Sequence, residues 1–175
     1  MIRSNRKKIG LLGGSFDPPH QGHLKISKIA INKLSLDKLY WCVTEQNPFK
    51  KKTFFSLSKR IKKSKLLTSE IKKIKVKYFE DKIKSNRSID LIKYLNKKNK
   101  KTEFFLIIGS DNLINLHKWK NWKLLTKLIK IVVFSRKDYD IKVRKSAITK
   151  QLKKIIFIKN KPINISSTQI REKLA

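Results

Sequence analysis

The sequence has 175 residues, and its 45 lysines and arginines against 12 aspartates and glutamates give a formal net charge of +33. This length has room for one domain with a sizeable core. The single cysteine, Cys42, excludes a disulfide framework, and no apolar run approaches the roughly 20 residues of a membrane-spanning helix. The basic first residues lead into a predicted strand and not into a signal-peptide core. We therefore expect one domain over residues 1–175, located in the cytoplasm.

Taken in chain order, strand-like and helix-like patterns alternate along the sequence. The predicted strands are residues 8–12, 38–44, 74–79, 103–108, 130–134 and 155–158. The predicted helices are residues 21–34, 58–67, 88–95, one or two within 113–128, then 142–153 and 167–174. Loops are predicted at 45–52, at 135–139 and from Pro162 to the last helix. This alternation predicts an α/β fold, with a Rossmann-like, doubly wound parallel sheet in three α/β/α layers.

The turn between the first predicted strand and helix concentrates residues that are scarce elsewhere. Four of the five glycines and two of the four prolines lie within residues 10–22. Gly13 and Gly14 allow the backbone to approach a ligand closely, and the start of the next helix favours an anion such as phosphate. His20 and His23 lie three residues apart at that start, so both can point at one bound group. The turn therefore predicts a phosphate site at the carboxyl end of the first strand.

Two other interpretations of this turn stay open. A glycine-proline turn can carry two surface histidines without binding any ligand. A zinc site needs three or four protein ligands, but the chain has one cysteine, and its third histidine, His117, lies far away in the sequence. The zinc interpretation is therefore the weaker of the two.

The run GGSFDPPHQGH, from Gly13 to His23, matches neither the G-x-G-x-x-G fingerprint nor the G-K-[ST] phosphate loop. It resembles the signature of nicotinate-nucleotide adenylyltransferases, in the nucleotidyltransferase superfamily that carries a His-x-Gly-His motif. In that superfamily the two histidines contact the phosphates of a nucleoside triphosphate. The resemblance implies an acceptor contact from Asp17, and ATP contacts from Gly13, Gly14, Ser15, Phe16, His20 and His23.

A second segment with this resemblance follows the fourth predicted strand, in FLIIGSDN and LHKWKNW. A glycine such as Gly109 lets the backbone turn beside a ligand, and an acidic residue such as Asp111 can bind a ribose hydroxyl. In the family the acidic residue lies at the nucleotide site, and the first tryptophan stacks on the pyridine ring of the acceptor. We expect stacking for Trp119, with Lys120 beside the acceptor, and core packing for Trp122. If the two tryptophans share one helix face, core packing explains both.

The third such segment is ISSTQIR, residues 165–171. Its serines and threonine can cap a helix and offer N–H groups to an anion. An arginine one turn into that helix can make bidentate phosphate contacts. The resemblance implies that Ser167, Thr168 and Arg171 contact the ATP phosphates.

Three more residues complete the predicted site. Lys50, in the loop after the second strand, can neutralise a phosphate as a point charge. Ser88 starts a segment that loosely matches an acceptor-binding segment of the family, although a helix cap at Ser88 explains it equally. Arg136, after the fifth strand, is a further acceptor contact.

The resemblance covers nearly the whole chain. It implies that the adenylyl group of ATP, bound with Mg²⁺, is transferred to nicotinate mononucleotide, which gives nicotinate adenine dinucleotide and pyrophosphate. Such a transfer needs no protein nucleophile, because positioning and charge stabilisation suffice. The residues expected to supply them are His20, His23, Lys50 and Arg171, and no protein side chain is expected to hold the metal.

Two alternatives remain at this stage. One is another adenylyltransferase of the His-x-Gly-His superfamily, such as phosphopantetheine adenylyltransferase. The other is a basic nucleic-acid-binding protein, because a charge of +33 attracts polyanions. The lysines are spread over the whole length and form no block, so a compositional bias explains them as well. We therefore expect neither a nucleic acid nor a membrane as partner, and both a monomer and a dimer stay open.

Overall fold

The computed structural model describes residues 6–47, 52–135, 155–160 and 165–173. Six strands are seen in these residues: β1 (Lys7–Gly14), β2 (Lys38–Val43), β3 (Ile74–Lys77), β4 (Thr102–Gly109), β5 (Lys130–Phe134) and β6 (Ile155–Ile158). The helices are α1 (Gln21–Lys33), α2 (Leu57–Leu67), α3 (Glu80–Ile83), α4 (Ser88–Lys98), α5 (Ser110–Ile114), α6 (Trp122–Leu128) and α7 (Ser167–Glu172), with a 3-10 turn at Leu116–Lys118.

The strands form one sheet in the order β3-β2-β1-β4-β5-β6, and every neighbouring pair is parallel. The chain moves outward from β1 to β3 and then crosses back to β4 on the other side of β1. In a doubly wound sheet this reversal opens a crevice at the carboxyl ends of the two central strands. The predicted Rossmann-like fold is confirmed, and the crevice lies where the first sequence motif follows β1.

Two apolar cores cover the two faces of the sheet. In β4 the side chains of Phe104, Leu106 and Ile108 pack on one face and those of Phe105 and Ile107 on the other. The first face is covered by α4, α5 and α6, and the second by α1 and α2. The nearly continuous apolar sequence of β4 follows from this burial on both faces, and the helices complete the predicted three layers.

Gly10 serves packing in the middle of β1. A Cβ atom at this position would lie 2.7 Å from Cδ1 of Leu36 and 2.9 Å from Cδ1 of Ile107. The missing side chain therefore lets the residues after α1 and those of β4 close over β1. Nearby in β2, burial raises the pKa of the Cys42 thiol to about 12, so this free cysteine stays protonated at neutral pH.

Several predicted elements differ from the observed ones. Helix α3 was not predicted, because four residues are too short to show a helical period. Trp119 and Trp122 do not share a helix face: Trp119 is extended after the 3-10 turn, and Asn121, with φ of 51°, separates it from α6. The predicted helix 142–153 lies outside the described residues. Within the described parts of the chain, no helix is long and apolar enough to cross a bilayer.

Candidate active site

The turn after β1 has a tightly packed floor and an open side. Phe16, which is 2 % exposed, adopts a left-handed backbone with φ of 48° and stacks on Trp41 with ring centroids 4.7 Å apart. The peptide bond between Asp17 and Pro18 is cis. A Cβ built on Gly13 would meet no atom within 4 Å, so space beside this glycine is open to a ligand. The structure thus places the predicted ATP-binding run from Gly13 to Phe16 at the rim of the crevice.

His20 and His23 cap the start of α1 and lie against each other. The Nδ1 atom of His20 accepts the Gly22 N–H at 3.1 Å, and the Nδ1 atom of His23 accepts the His20 N–H at 3.2 Å. The two ring centroids are 3.9 Å apart. A neutral imidazole that accepts at Nδ1 carries its proton on Nε2. These Nδ1 contacts therefore assign the proton of each neutral ring to Nε2.

The same caps correct one expectation about this helix. We expected the first N–H groups of α1 to be available to an anion, but Gly22 donates to the His20 ring and the His23 N–H donates to the His20 carbonyl at 3.0 Å. Part of the predicted anion binding therefore falls to the histidine rings and not to the backbone N–H groups, although the positive end of the helix dipole still lies beneath the rings.

A short hydrogen-bond chain anchors α1 to the sheet. Trp41 Nε1–H donates to the buried Ser27 hydroxyl, which donates to the His23 carbonyl, each at 2.8 Å. The Trp41 ring also meets the His23 ring edge to face, with centroids 5.8 Å apart. The position of the histidine pair is therefore fixed from below by a side chain of β2.

The third sequence motif packs directly on the first. The Ser167 hydroxyl donates to the Pro18 carbonyl at 2.9 Å, and Arg171 Nη1 donates to the Asp17 carbonyl at 2.5 Å. Arg171 also donates from Nη2 to the Thr168 hydroxyl at 3.1 Å. About 150 residues of chain separate the two motifs, and only the fold brings them together. All the residues predicted for the triphosphate in these motifs thus lie in one place.

Asp17, the first predicted acceptor contact, also organises backbone. Its two carboxylate oxygens accept the N–H groups of Phe54 and Phe55, at 2.7 and 2.8 Å, and Arg171 Nη1 lies 3.8 Å from one of them. Asp17 as a whole is only 5 % exposed. These contacts hold the segment before α2 against the turn after β1, and the acceptor contact of Asp17 stays a prediction.

Arg60 was not singled out from the sequence, because one arginine on a basic helix gives no signal. Its side chain is 1 % exposed, and the guanidinium donates to four carbonyls. Nη1 bonds Ser15 and Thr44 at 2.6 and 2.7 Å, Nη2 bonds Glu45 at 2.8 Å, and Nε bonds Phe55 at 3.0 Å. Arg60 therefore ties the turn after β1 to the end of β2 and to the start of α2.

A cavity of about 470 Å³ opens beside Arg60, at the carboxyl ends of β2 and β3. Glu80 closes one wall, where its carboxylate accepts from the Thr44 hydroxyl and from the Glu45 N–H. Burial lowers the pKa of the Arg60 guanidinium, and the carboxylates of Asp17, Glu45 and Glu80 oppose that change. The arginine keeps its charge in this setting, because guanidinium pKa values lie far above neutral pH.

The end of β4 supplies the other half of the crevice. Gly109 ends the strand and is the N-cap of α5, so Asp111 lies in the first turn of that helix, next to the end of β1. Trp119 and Trp122 are both half-buried, and both pack against the core beneath α4, α5 and α6. Lys120 is exposed. The burial of the two side chains therefore does not show whether Trp119 stacks on a ligand and Trp122 packs in the core, and the two roles stay predictions.

Three predicted residues need separate comment. Ser88 is the first residue of α4 and does not cap it: the N-cap is Arg87, whose N–H is accepted by the Ser85 hydroxyl at 3.1 Å. The capping interpretation of Ser88 was therefore wrong, because Ser88 is already inside the helix and Arg87 holds the N-cap position without a side-chain cap. Lys50 and Arg136 lie outside the described residues.

Comparison with known proteins agrees with this arrangement. The profile of the cytidylyltransferase-like family matches residues 11–173. A protein of Pelagibacter ubique (strain HTCC1062) named a probable nicotinate-nucleotide adenylyltransferase is 46 % identical, over 98 % of this chain and 96 % of its own. A protein of Endomicrobium trichonymphae with the same name is 33 % identical, over 94 % of this chain and 84 % of its own.

Solved structures give the same fold. The nicotinic acid mononucleotide adenylyltransferase of Plasmodium falciparum complexed with NaAD superposes with a TM-score of 0.80 at 22 % identity, over 97 % of this chain and 84 % of that one. The same enzyme complexed with APC gives a TM-score of 0.79 at 20 % identity, over 95 % and 83 %. These structures support the fold, and the sequence matches over nearly the full length assign the chain to the nicotinate-nucleotide adenylyltransferase family.

Proposed function

We propose that this protein transfers the adenylyl group of ATP to nicotinate mononucleotide, which yields nicotinate adenine dinucleotide and pyrophosphate in NAD biosynthesis. The observation that carries the proposal is the meeting of two distant motifs beside β1, where Ser167 and Arg171 bind the carbonyls of Pro18 and Asp17. The names of the Pelagibacter and Plasmodium relatives support the same reaction.

The reaction is an in-line displacement at phosphorus. A phosphate oxygen of nicotinate mononucleotide attacks the α-phosphorus of ATP, and the bond from that phosphorus to the oxygen bridging to the β-phosphorus breaks. Pyrophosphate leaves with the electron pair of that bond. The Nε2–H groups of His20 and His23 would donate to the phosphate oxygens on which negative charge grows, which is the largest contribution a protein makes to such a step.

The remaining residues bind and orient the two substrates. Arg171 and Lys50 would neutralise the triphosphate, and Thr168, which accepts from Arg171, would hold that guanidinium in place. Gly109 and Asp111 would bind the nucleotide at the end of β4. On the acceptor side we place Asp17, Ser88, Trp119, Lys120 and Arg136.

Mg²⁺ is proposed to enter as part of the ATP complex. Over the described residues, no group of three or more histidine, cysteine, aspartate or glutamate side chains is placed to hold a metal ion. Phosphate oxygens and water are ordinary Mg²⁺ ligands, so the triphosphate itself would supply most of the coordination. The ion would then neutralise charge on the phosphates during the transfer.

The proposed partners of this protein are its substrates. We propose a cytoplasmic location, which the free, buried Cys42 supports because a reducing compartment keeps thiols unpaired. No nucleic acid or membrane partner is proposed. Both a monomer and a dimer stay open as the oligomeric state.

One assay tests the proposed reaction. The protein is mixed with MgATP and, in parallel, with nicotinate mononucleotide, nicotinamide mononucleotide or phosphopantetheine, and pyrophosphate release is followed together with the adenylylated product. We expect turnover with nicotinate mononucleotide. Turnover with phosphopantetheine alone would assign the chain to the other branch of the superfamily. A protein that releases no pyrophosphate but binds RNA with a steep salt dependence would contradict the proposal.

The same assay measures how the acceptor ring is recognised. No side chain caps the N-terminus of α4 at Arg87, so the backbone of its first turn can face the acceptor. Hydrogen bonds to a charged group contribute about 1.5–3 kcal/mol each, and two of them favour the nicotinate carboxylate over an amide. We therefore expect kcat/KM for nicotinate mononucleotide to exceed that for nicotinamide mononucleotide by at least about a hundredfold. Equal values would show that the carboxylate is not recognised.

A further inference from the structure

Arg60 holds the turn after β1 through a main-chain carbonyl, and its side chain is almost completely buried. Four of the five N–H donors of its guanidinium bind main-chain carbonyls of three segments. The Phe55 peptide units are held on both sides, because the Phe55 N–H donates to Asp17 while its carbonyl accepts from Arg60. The guanidinium and the Asp17 carboxylate thus form one clamp around the residues that precede α2.

The most demanding backbone in this clamp is that of Phe16. A left-handed φ is unfavourable for a residue other than glycine, and Phe16 keeps it while it is buried against Trp41. The carbonyl of the peptide before it, that of Ser15, accepts from Arg60 at 2.6 Å. Because a peptide unit is planar and trans, this bond also turns the Phe16 N–H away from the guanidinium.

We propose that Arg60 is a positioning residue for adenylyl transfer: by binding the carbonyls of Ser15, Thr44 and Glu45 it fixes the carboxyl ends of β1 and β2, and with them the backbone that receives the nucleotide. This assignment rests on the proposed function. It goes beyond that function because Arg60 lies in no recognised motif and touches neither substrate in the proposed arrangement. The residue acts only through the main chain that it holds.

A lysine cannot replace this arginine. Its single ammonium group has three donors at one point, whereas the guanidinium directs its donors in a planar fork toward separate carbonyls. Arg60→Lys therefore keeps the charge and part of the bonding, but leaves buried carbonyls without a donor. We expect a folded protein in which the turn after β1 is less well fixed.

The test compares Arg60→Lys with Thr68→Val. Thr68 is buried at the other end of α2, where its hydroxyl donates to the Ser64 carbonyl at 2.9 Å, so its loss destabilises the same helix far from the turn. For the wild type and both variants, circular dichroism and thermal unfolding give the folded fraction at the assay temperature. Pyrophosphate release then gives kcat per folded molecule and KM for MgATP and for nicotinate mononucleotide.

We expect Arg60→Lys to lower kcat per folded molecule by about tenfold or more, because misplacement of reacting groups by a fraction of an ångström slows such steps steeply. Thr68→Val should lower the melting temperature and leave kcat unchanged. If Arg60→Lys keeps the wild-type kcat, or does not fold at all, Arg60 is a structural residue only and the positioning role is overturned. An inactive wild-type protein would instead contradict the proposed function, so the two failures are distinguishable.

Discussion

At the scale of single residues, each histidine of the pair uses its two ring nitrogens differently. The Nδ1 atoms of His20 and His23 accept backbone N–H groups and form a capping box at the start of α1. The Nε2 atoms are the donors proposed for the phosphates. A substitution therefore changes both the cap and the chemistry, and an experiment has to separate them.

We predict that His20→Ala and His23→Ala each lower kcat by about 10²–10³-fold, the usual effect of removing one donor that stabilises charge in the transition state. Loss of the cap should also cost about 0.5–2 kcal/mol of stability. Steady-state rates of pyrophosphate release and denaturant unfolding measure the two effects.

Matched variants keep the cap and remove the imidazole. Asparagine is a favoured N-cap residue, and glutamine is the usual partner at the third helical position of a capping box. His20→Asn and His23→Gln should therefore regain most of the stability but stay slow. If these variants recover the wild-type kcat, the histidines contribute to the helix start and not to the reaction.

Trp119 and Trp122 allow a second comparison at this scale, since both are half-buried against the same core. If Trp119 stacks on the acceptor ring, Trp119→Ala should weaken acceptor binding by about 1–3 kcal/mol, by analogy with bases stacked on aromatic side chains. Trp122→Ala should lower stability with little change in KM for either substrate. Equal effects of the two substitutions on the acceptor KM would make Trp119 a core residue.

At the scale of elements, the contact between α1 and β2 fixes the position of the histidine pair relative to the sheet. The Ser27 hydroxyl links Trp41 Nε1 to the His23 carbonyl. Trp41→Phe keeps an aromatic ring against Phe16 but removes the donor, and Ser27→Ala removes its partner. We predict a coupling energy of about 1 kcal/mol between the two substitutions in a double-mutant cycle, measured by denaturant unfolding. Independent, additive effects would show that this hydrogen bond does not join the two elements.

The elements also show what the sequence can and cannot predict. The alternation of strand and helix patterns predicted the parallel sheet. A strand buried on both faces, such as β4, is apolar at nearly every position, whereas a helix buried on one face, such as α1, is apolar with a helical period. His20 was found in a turn with clustered glycines and prolines, and Arg171 through the resemblance of its segment to the family. Arg60 was missed because its partners are carbonyls of residues 15, 44, 45 and 55, and any residue type supplies a carbonyl. A buried side chain that binds main-chain carbonyls therefore leaves no pattern in the sequence of the segments that it binds.

Short-range geometry set the other limit. Trp119 and Trp122 have helical spacing, but a left-handed Asn121 interrupts the helix between them. Asparagine tolerates this conformation more readily than most residues, yet many asparagines in this chain do not adopt it. Helix α4 is a similar case: Ser88 is a favoured N-cap residue type, yet it lies inside the helix, and the N-cap position is held by Arg87 without a side-chain cap.

At the scale of the whole molecule, the net charge of +33 acts on every anionic ligand. Both proposed substrates carry phosphate, and the fields of many lysines add at the crevice even where no single lysine touches the ligand. The charge can therefore raise the rate of substrate capture whether or not compositional bias produced it. Because salt screens the charge, the dependence of the rate on ionic strength shows whether the charge contributes to substrate capture.

We predict that kcat/KM for MgATP and for nicotinate mononucleotide falls by about tenfold when the ionic strength rises from about 0.01 to 0.1 M, as the screening length shrinks from about 30 to 10 Å. The measurement is the initial rate at substrate concentrations well below KM, with free Mg²⁺ held constant. Sucrose in place of salt is the control for viscosity and osmotic effects, and kcat at saturating substrate should change little, because contacts inside the site are screened much less. A kcat/KM that does not depend on ionic strength would show that the excess lysines contribute nothing to substrate capture, and compositional bias would then be their sufficient explanation.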